Sequence, residues 1–231
     1  MKDNIYYEII DENEDFIVVN KYPNISFHSE NNEIGLFQRL SDDLKCRLYA
    51  VHRLDKITSG IIIAAKSKEA ASALSELFSS GKVCKYYVAF SDKKPKKKKG
   101  LISGDMNKSR NGQWKLTRAY NNPAVTLFSS LKYNDKYLFL LNPKTGKTHQ
   151  IRVAMKSLSS PILGDTLYHG TPSDRGYLHS FKLAFFYKGK NYEYEKYPNI
   201  GIFFCDKQIY ERISEMASLF NRSYLKKKER Y

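Results

Sequence analysis

Short apolar runs, rich in β-branched and aromatic residues, recur along the chain and outnumber its helical patterns. Runs of this kind, bounded by turn-forming residues, are typical of strands; they are FIVVN, RLYAV, IIIAAK, KVCKYYVAF, AVTLFSSLKY, KYLFLLN, YLHSFKLAFFY and YEYEKY. Asn134-Asp135 and Gly189-Lys190-Asn191 separate neighbouring runs and predict hairpins. Helical patterns do not alternate regularly with these runs. We therefore expect an α+β fold whose mixed, mostly antiparallel central sheet is flanked by helices and loops.

Apolar residues at helical spacing predict helices over about 34–45, 67–81, 148–158 and 207–220. In the second of these, SKEAASALSELFSSG, Ser67 is a natural N-cap and Gly81 a natural stop. Solvent-exposed loops are expected where the sequence reads KKPKKKKG, at residues 93–100, and DMNKSRNGQ, at residues 105–113.

Length and charge bound the organisation of the chain and its partners. A chain of 231 residues with 42% hydrophobic content suits one well-filled domain, residues 1–231. Lys and Arg number 39 against 24 Asp and Glu, which gives a formal net charge of +15. Such an excess favours a polyanionic partner, either nucleic acid or an anionic membrane surface. A codon bias towards Lys, Asn, Tyr and Ile is the alternative explanation.

The chain carries no pattern for export or for crossing a membrane. Its first residues, MKDNIYYEIIDENED, are too polar for a signal peptide, and no run approaches the ~18 to 20 apolar residues of a span. Cys46, Cys84 and Cys205 are far apart and lack neighbouring ligand residues, which argues against a disulfide framework or a zinc site. We expect a cytoplasmic monomer that does not associate with membranes.

Polar side chains stand beside apolar elements in three segments. These are HRLDKITSG (52–60), KYYVA (85–89) and TGKTHQIRVAMKSLSSPILGD (145–165), which together offer a carboxylate, a phenol and guanidinium groups. An Arg near a carboxylate favours its ionised form, and an ionised Asp shielded from water can act as a nucleophile. A Tyr offers a face for base stacking and a hydroxyl for proton transfer.

The same segments resemble the signatures of one enzyme family. HRLDKITSG resembles the HRLD-x-x-TSG signature of the RluA-type pseudouridine synthases, and KYYVA resembles their Lys-x-Tyr-x-Ala strand. TGKTHQIRV is similar to their Gly-Arg-Thr-His-Gln-Ile-Arg motif. PILGD-x-x-Y (161–168) and LHS (178–180) match two further signatures. The resemblance extends from about residue 15 to residue 187, with all five signatures in family order.

The resemblance implies that the chain isomerises uridine to pseudouridine within RNA, without a metal, nucleotide or redox cofactor. By position, Asp55 matches the family's catalytic aspartate, Tyr87 its active-site tyrosine and Arg152 the basic residue that pairs with the aspartate. Whether the aspartate attacks the ribose carbon or the uracil ring, or assists elimination, stays open. The target RNA stays open too, because relatives with these motifs act on ribosomal RNA, transfer RNA or both.

Three further residues are expected to bind the substrate. Arg53 matches the arginine implicated in turning the uridine out of its stack, and Lys147 and His149 belong to the third motif. We expect His149 and His52 to act through hydrogen bonds rather than as acids or bases, and His179 to orient the core. Lys147 stands where the family commonly has Arg, which keeps the charge but loses the bidentate geometry.

The chain also departs from the family near its first strand and ahead of it. Lys21-Tyr22-Pro23-Asn24 replaces the usual Lys-Pro-x-Gly, and about fifteen residues precede FIVVN, so we expect no separate N-terminal RNA-binding module. The RNA must then be held by the domain's own surface. The lysines of 93–100 are expected either to grip RNA near the mouth of the site or simply to form a solvated loop.

The role of Asp55 and the function of the protein each have alternative interpretations. Asp55 could merely cap the turn at residues 58–60. The same fold could serve an RNA chaperone or assembly factor without catalysis. A glycosidase would need a second carboxylate opposite Asp55, and Asp165 is the candidate. We expect instead that Asp165 anchors a turn and that Arg152 faces Asp55.

Overall fold

The computed structural model describes residues 6–29 and 33–228. Its strands are β1 (Tyr7–Glu12), β2 (Phe16–Lys21), β3 (Tyr49–Ala50), β4 (Ser59–Ala65), β5 (Cys84–Ser91), β6 (Lys99–Gly104), β7 (Met106–Lys108), β8 (Trp114–Leu116), β9 (Ala124–Tyr133), β10 (Lys136–Pro143), β11 (Leu178–Tyr187) and β12 (Lys190–Glu195). Its helices are α1 (Leu36–Asp43), α2 (Lys68–Ser79), α3 (Gln150–Ser157) and α4 (Gln208–Lys228). Short 3₁₀ turns lie at Arg110–Gly112 and Thr166–Tyr168.

A ten-stranded sheet forms the centre of the molecule. Its strand order is β1-β2-β4-β11-β5-β10-β9-β6, with β12 paired to β11 and β3 to β4, while β7 and β8 form a separate hairpin. Strands β4 and β11 are parallel, and the other strand pairs in the described part of this sheet are antiparallel. The predicted α+β class, with a mixed and mostly antiparallel sheet, is confirmed.

The central strands are buried on both faces, which explains their continuous apolar sequences. In β2, Ile17 and Val19 pack in the core on one side, whereas Phe16 and Val18 pack in a second core on the other side. Alternate residues of a strand point to opposite faces, so a strand covered on both sides needs apolar residues throughout. Helices α1, α3 and α4 contribute to the first core and α2 to the second.

Local signals in the sequence fix several element boundaries. The Ser67 hydroxyl accepts a hydrogen bond from the Ala70 N–H, so the predicted N-cap of α2 is confirmed. Strands β9 and β10 turn at Asn134-Asp135, as predicted. The second hairpin turns at Lys188-Gly189, one residue earlier than predicted, and both residues have positive φ as a type I′ turn requires.

Two predicted loops are more ordered than their composition indicates. Residues 105–113 contribute strand β7 and a 3₁₀ turn to the β7–β8 hairpin. In the 93–100 segment the lysines are exposed but Pro95 is buried, and hydrogen bonds to neighbouring segments anchor the backbone. The Ser160 hydroxyl donates to the Lys93 carbonyl, and the Lys96 N–H donates to the Leu158 carbonyl.

None of the helices in the described part of the chain combines the length and the apolar character that crossing a bilayer requires.

Candidate active site

A cavity of about 810 Å³ opens between the sheet, the end of α2 and the start of α3. Its walls include all the residues that the sequence predicted for the site, namely Arg53, Asp55, Tyr87, Lys147, His149 and Arg152. These residues come from the β3–β4 connection, strand β5, and the β10–α3 connection with the first turn of α3, so the fold brings the three sequence segments together.

Hydrogen bonds and close backbone packing fix the loop that carries Asp55. The Thr58 N–H donates to the Asp55 carbonyl, so the backbone closes this turn and the Asp55 carboxylate is left for the cavity. Fully buried Lys21 donates through Nζ to the Lys56 carbonyl at 3.2 Å and to two carbonyls of its own segment. At Gly60 (φ 109°) a Cβ atom would lie 2.3 Å from the Ser180 carbonyl oxygen, so only glycine fits where β4 meets β11.

The Asp55 carboxylate faces two nitrogen groups. Arg152 Nη1 lies 3.4 Å from one carboxylate oxygen, and His149 Nε2 lies 3.9 Å from the other. The expectation that Arg152 faces Asp55 is confirmed by this geometry, and the turn-capping alternative for Asp55 is not supported. The Asp55 side chain is 19% exposed, which leaves it open to a ligand in the cavity.

Arg152 is itself held by a second carboxylate that the sequence interpretation assigned only to a turn. Arg152 Nε and Nη2 donate to the two Asp165 oxygens at 2.7 and 2.8 Å, and Asp165 is 1% exposed. Burial lowers the pKa of Arg152, but the hydrogen bonds and charge of Asp165, with Asp55 adding, raise it above its ordinary value. The guanidinium also lies 4.8 Å from the ring centre of Tyr168.

This pairing argues against a two-carboxylate glycosidase. That interpretation requires Asp165 to face Asp55 across a cleft. Both Asp165 oxygens are instead engaged by the guanidinium of Arg152, which lies next to Asp55. Asp165 does sit in a turn, where its carbonyl accepts from the Tyr168 and Gly170 N–H groups, but its larger role is to fix Arg152.

Tyr87 lies on β5 with its phenol in the cavity wall, and the side chain is 9% exposed. Burial raises the pKa of Tyr87 to about 12, and the charge of Asp55 adds to the rise while Ser180 opposes it. The phenol is therefore neutral at pH 7 and carries a proton that it can donate.

His149 is oriented by a neighbour that the sequence interpretation did not single out. Its Nδ1 lies 2.9 Å from the Tyr168 hydroxyl, which accepts from the Trp114 N–H at 2.9 Å. That hydroxyl accepts from Trp114 and can donate its own proton to His149 Nδ1; in the tautomer that accepts this proton, Nε2 carries a proton and faces Asp55. Burial lowers the pKa of His149, with Asp55 opposing and Arg152 adding to the lowering. His149 also has a left-handed backbone (φ 57°).

The rim of the cavity carries basic side chains, and hydrogen bonds hold one of them, Lys147, in place. Lys147 Nζ donates to the Asn122 side-chain oxygen at 2.7 Å, and the buried Gln150 side chain accepts from the Lys147 N–H and the Thr145 hydroxyl. Arg53 is exposed at the same cavity. A charged, accessible rim around a deeper polar floor suits an anionic ligand whose reacting part enters the cavity.

The expectation that 93–100 lies near the mouth of the site is wrong. None of its lysines lines the cavity, which is bordered by the first turn of α3, whereas the loop is anchored beyond that helix's last turn, at Leu158 and Ser160. Strand β5 runs away from the cavity between Tyr87 and Ser91, so the loop leaves the sheet at the other end.

His52 and His179 are structural, as predicted. His52 Nε2 accepts from the Ile63 N–H at 3.0 Å, and its ring stacks on Phe78 at 4.1 Å between ring centres. His179 bonds to the Ser59 hydroxyl through Nδ1 at 2.7 Å and to the Lys196 carbonyl through Nε2 at 2.8 Å. Burial lowers the pKa of each of these histidines to about 3.

These two histidines predict a loss of stability in acid. Unfolded, each binds a proton below its ordinary pKa of 6.5; folded, each resists protonation down to about pH 3. The unfolded state therefore binds more protons in this window, and stability is full above pH 6.5 and declines as the pH falls. At pH 5 each histidine should cost about 2 kcal/mol of unfolding free energy. Denaturant titrations of the wild type at pH 7.5 and pH 5 measure this.

Variants separate this effect from general acid sensitivity. His179→Gln should be less stable at neutral pH but should lose less on acidification, while His28→Gln, at an exposed position, should behave as wild type. An equal loss in wild type and His179→Gln would contradict the assignment for that residue.

Sequence and structure comparisons find similar proteins over most of the chain. A profile of the family described as RNA pseudouridylate synthase matches residues 15–157. An uncharacterized RNA pseudouridine synthase of Haemophilus influenzae is 46% identical over 210 residues, which are 89% of this chain and 94% of that protein. The ribosomal large subunit pseudouridine synthase D of Borreliella burgdorferi is 32% identical over 199 residues, 78% of this chain and 61% of that protein. The solved structure of human RNA pseudouridylate synthase domain containing 1 has a similar fold, with a TM-score of 0.72, 24% identity and 84% coverage of each chain.

Proposed function

The chain belongs to the RNA pseudouridylate synthase family and is a pseudouridine synthase, and we propose that it modifies uridines of ribosomal or transfer RNA with Asp55 as the nucleophile. The observation that carries the assignment of Asp55 is its position in the cavity, 3.4 Å from an arginine that a buried carboxylate already fixes. A carboxylate placed beside a fixed cation is preorganised to act on a bound uridine.

The reaction needs no group from outside the chain and the RNA. The bond between uracil N1 and the ribose carbon breaks, the base turns, and a bond forms between C5 and the same carbon. N1 gains a proton and C5 loses one, so product and substrate are isomers. We assign the attack on the ribose carbon to Asp55, whose bond to that carbon forms as the N1 bond breaks and itself breaks as C5 bonds there. We assign the proton exchange to the Tyr87 phenol, which gives its proton to N1 and recovers one from C5. Its raised pKa suits the first of these steps, because the phenol meets the departing base in its protonated form.

Arg53, Lys147 and His149 then bind the RNA around the reacting uridine. Arg53 is exposed at the cavity and can occupy the space that an everted base leaves, as the family resemblance implies. Lys147 offers a point charge to phosphate, and His149 presents its Nε2 proton beside Asp55. A monomer in the cytoplasm stays a prediction.

Pseudouridine mapping of total RNA, from cells with and without the gene, tests the proposed function. The relative named for the large ribosomal subunit makes ribosomal RNA the first target to map and transfer RNA the second. We expect at least one pseudouridine to disappear and to return when the wild-type gene is restored. An unchanged map in both classes of RNA would contradict the proposal.

Replacing Tyr87 by Phe tests the proton-transfer role. Phe keeps the ring that can stack on the base and removes the hydroxyl, so we expect RNA affinity close to wild type and product formation reduced by about a hundredfold or more. Single-turnover kinetics and equilibrium binding measure the two quantities separately. Unchanged turnover would reduce Tyr87 to a stacking surface. Tyr86→Phe, the neighbouring residue on the opposite face of β5, serves as the matched control.

A further inference from the structure

One buried cation in the cavity takes no part in the proposed reaction. Lys85 is 6% exposed and lines the cavity. Two other basic residues of the cavity have partners, since Arg152 bonds to Asp165 and Lys147 to Asn122. Among the residues that the structure describes, none accepts a hydrogen bond from Lys85 Nζ or forms an ion pair with it; the Nζ atom lies 5.8 Å from the centre of the Phe78 ring.

The end of α2, which faces the same part of the cavity, does not supply the missing acceptors. Its last carbonyls already accept from the chain: those of Glu76, Leu77 and Phe78 bond to the N–H groups of Ser80, Lys82 and Gly81. Burial lowers the pKa of Lys85, the neighbouring Cys84 opposes this and Lys144 adds to the lowering. A buried ammonium without a partner is costly, and an anion entering the cavity would remove that cost.

The position of Lys85 indicates which anion. Lys85 and Tyr87 are two residues apart on β5, so both side chains project from the same face of the sheet, about 6.6 Å apart along the strand. A uracil held at Tyr87 therefore places the RNA backbone within reach of Lys85. The cavity volume of about 810 Å³ is in the upper part of the range for small-ligand sites, enough for more than the reacting base.

We propose that Lys85 binds the backbone phosphate of a nucleotide adjacent to the target uridine, and so fixes the register of the RNA over Asp55. This inference rests on the proposed function. Lys85 acts as a point charge on a phosphate oxygen and reads no sequence. Its contribution is positional, because a phosphate held one step from the base determines which nucleotide enters the cavity.

Methylphosphonate interference tests the assignment. A short synthetic RNA with one uridine at its centre is prepared with a single uncharged methylphosphonate at each backbone position in turn. Binding is measured by fluorescence anisotropy, at low salt, to the wild type, to Lys85→Met, and to Lys97→Met, which removes the same charge outside the cavity. Met retains the apolar stem of Lys85, so the fold should be kept; Lys85→Gln is a second variant should Met disturb it.

Wild type and Lys97→Met should each lose affinity by about tenfold at one backbone position next to the uridine. Lys85→Met should bind the unmodified RNA correspondingly less tightly and show no further loss at that position. Its slope of log affinity against log salt should fall by about 0.7. If Lys85→Met keeps the wild-type loss at every position, Lys85 contacts a base or no RNA at all, and the proposal is overturned.

Failure here is distinguishable from failure of the proposed function. The interference pattern reports binding alone, whereas pseudouridine mapping reports the reaction, so either result can be negative while the other is positive.

Discussion

Replacing Asp55 by Asn abolishes pseudouridine formation while the fold and RNA binding persist. Asn has nearly the same shape, and the half-buried side chain would keep its place beside Arg152. The amide lacks the negative charge that makes a carboxylate oxygen nucleophilic, so we expect turnover to fall by more than about a thousandfold. Nucleoside analysis of RNA incubated with the variant measures product, and thermal denaturation and anisotropy measure folding and binding.

The control is Asp135→Asn, which makes the same chemical change in the exposed turn between β9 and β10. It should retain full activity. Because an Asn can hydrolyse back to Asp, mass spectrometry must show the Asp55→Asn preparation to be free of reversion. Turnover by such a preparation would remove Asp55 from the role of nucleophile.

Replacing Arg152 by Met is expected to cost both activity and much of the stability. Asp165 is 1% exposed and receives two hydrogen bonds from Arg152, so the variant would leave a buried carboxylate without its partner. Breaking a buried pair in this way typically costs about 3–5 kcal/mol. For a chain of this size the melting temperature should fall by roughly 10 °C, as calorimetry can measure.

A double variant separates the structural part of this loss from the catalytic part. In Arg152→Met with Asp165→Leu, both charges are gone and the space stays filled, so stability should return towards the wild-type value. Activity should not return, because Asp55 would still lack its facing guanidinium. If the single variant proves as stable as the wild type, Asp165 does not depend on Arg152.

The sequence predicts most of the sheet because each central strand has apolar residues on both of its faces. It also predicts which side chains share the site, because the motifs that hold Asp55, Tyr87 and Arg152 resemble family signatures whose residues form one active site. The role of Asp165 is less accessible. Gly164-Asp165 has the composition of a turn whether or not the carboxylate also binds an arginine thirteen positions away.

Other features depend on contacts that no local pattern encodes. Lys85 belongs to the Lys-x-Tyr-x-Ala motif, but the motif does not show that its ammonium is buried without an acceptor, which follows only from the packing of the folded chain around it. The wrong prediction that the lysines of 93–100 lie near the mouth of the cavity also concerned a contact that the local sequence does not encode. That the segment follows the strand of Tyr87 does not show which end of the strand meets the cavity, and the segment leaves from the end that does not.

The parallel junction of β4 and β11 has a consequence for the making of the protein. The two halves of the sheet meet there through the pairs Ser59–His179 and Gly60–Ser180, whose partners are 120 positions apart. Closing so long a loop is entropically unfavourable and slow, so this seam should form late. A ribosome releases Asp55 long before it releases Ser180. The growing chain therefore carries Asp55 before the rest of the active site has assembled. We expect the nascent chain to be inactive towards the RNA of the ribosome that is synthesising it.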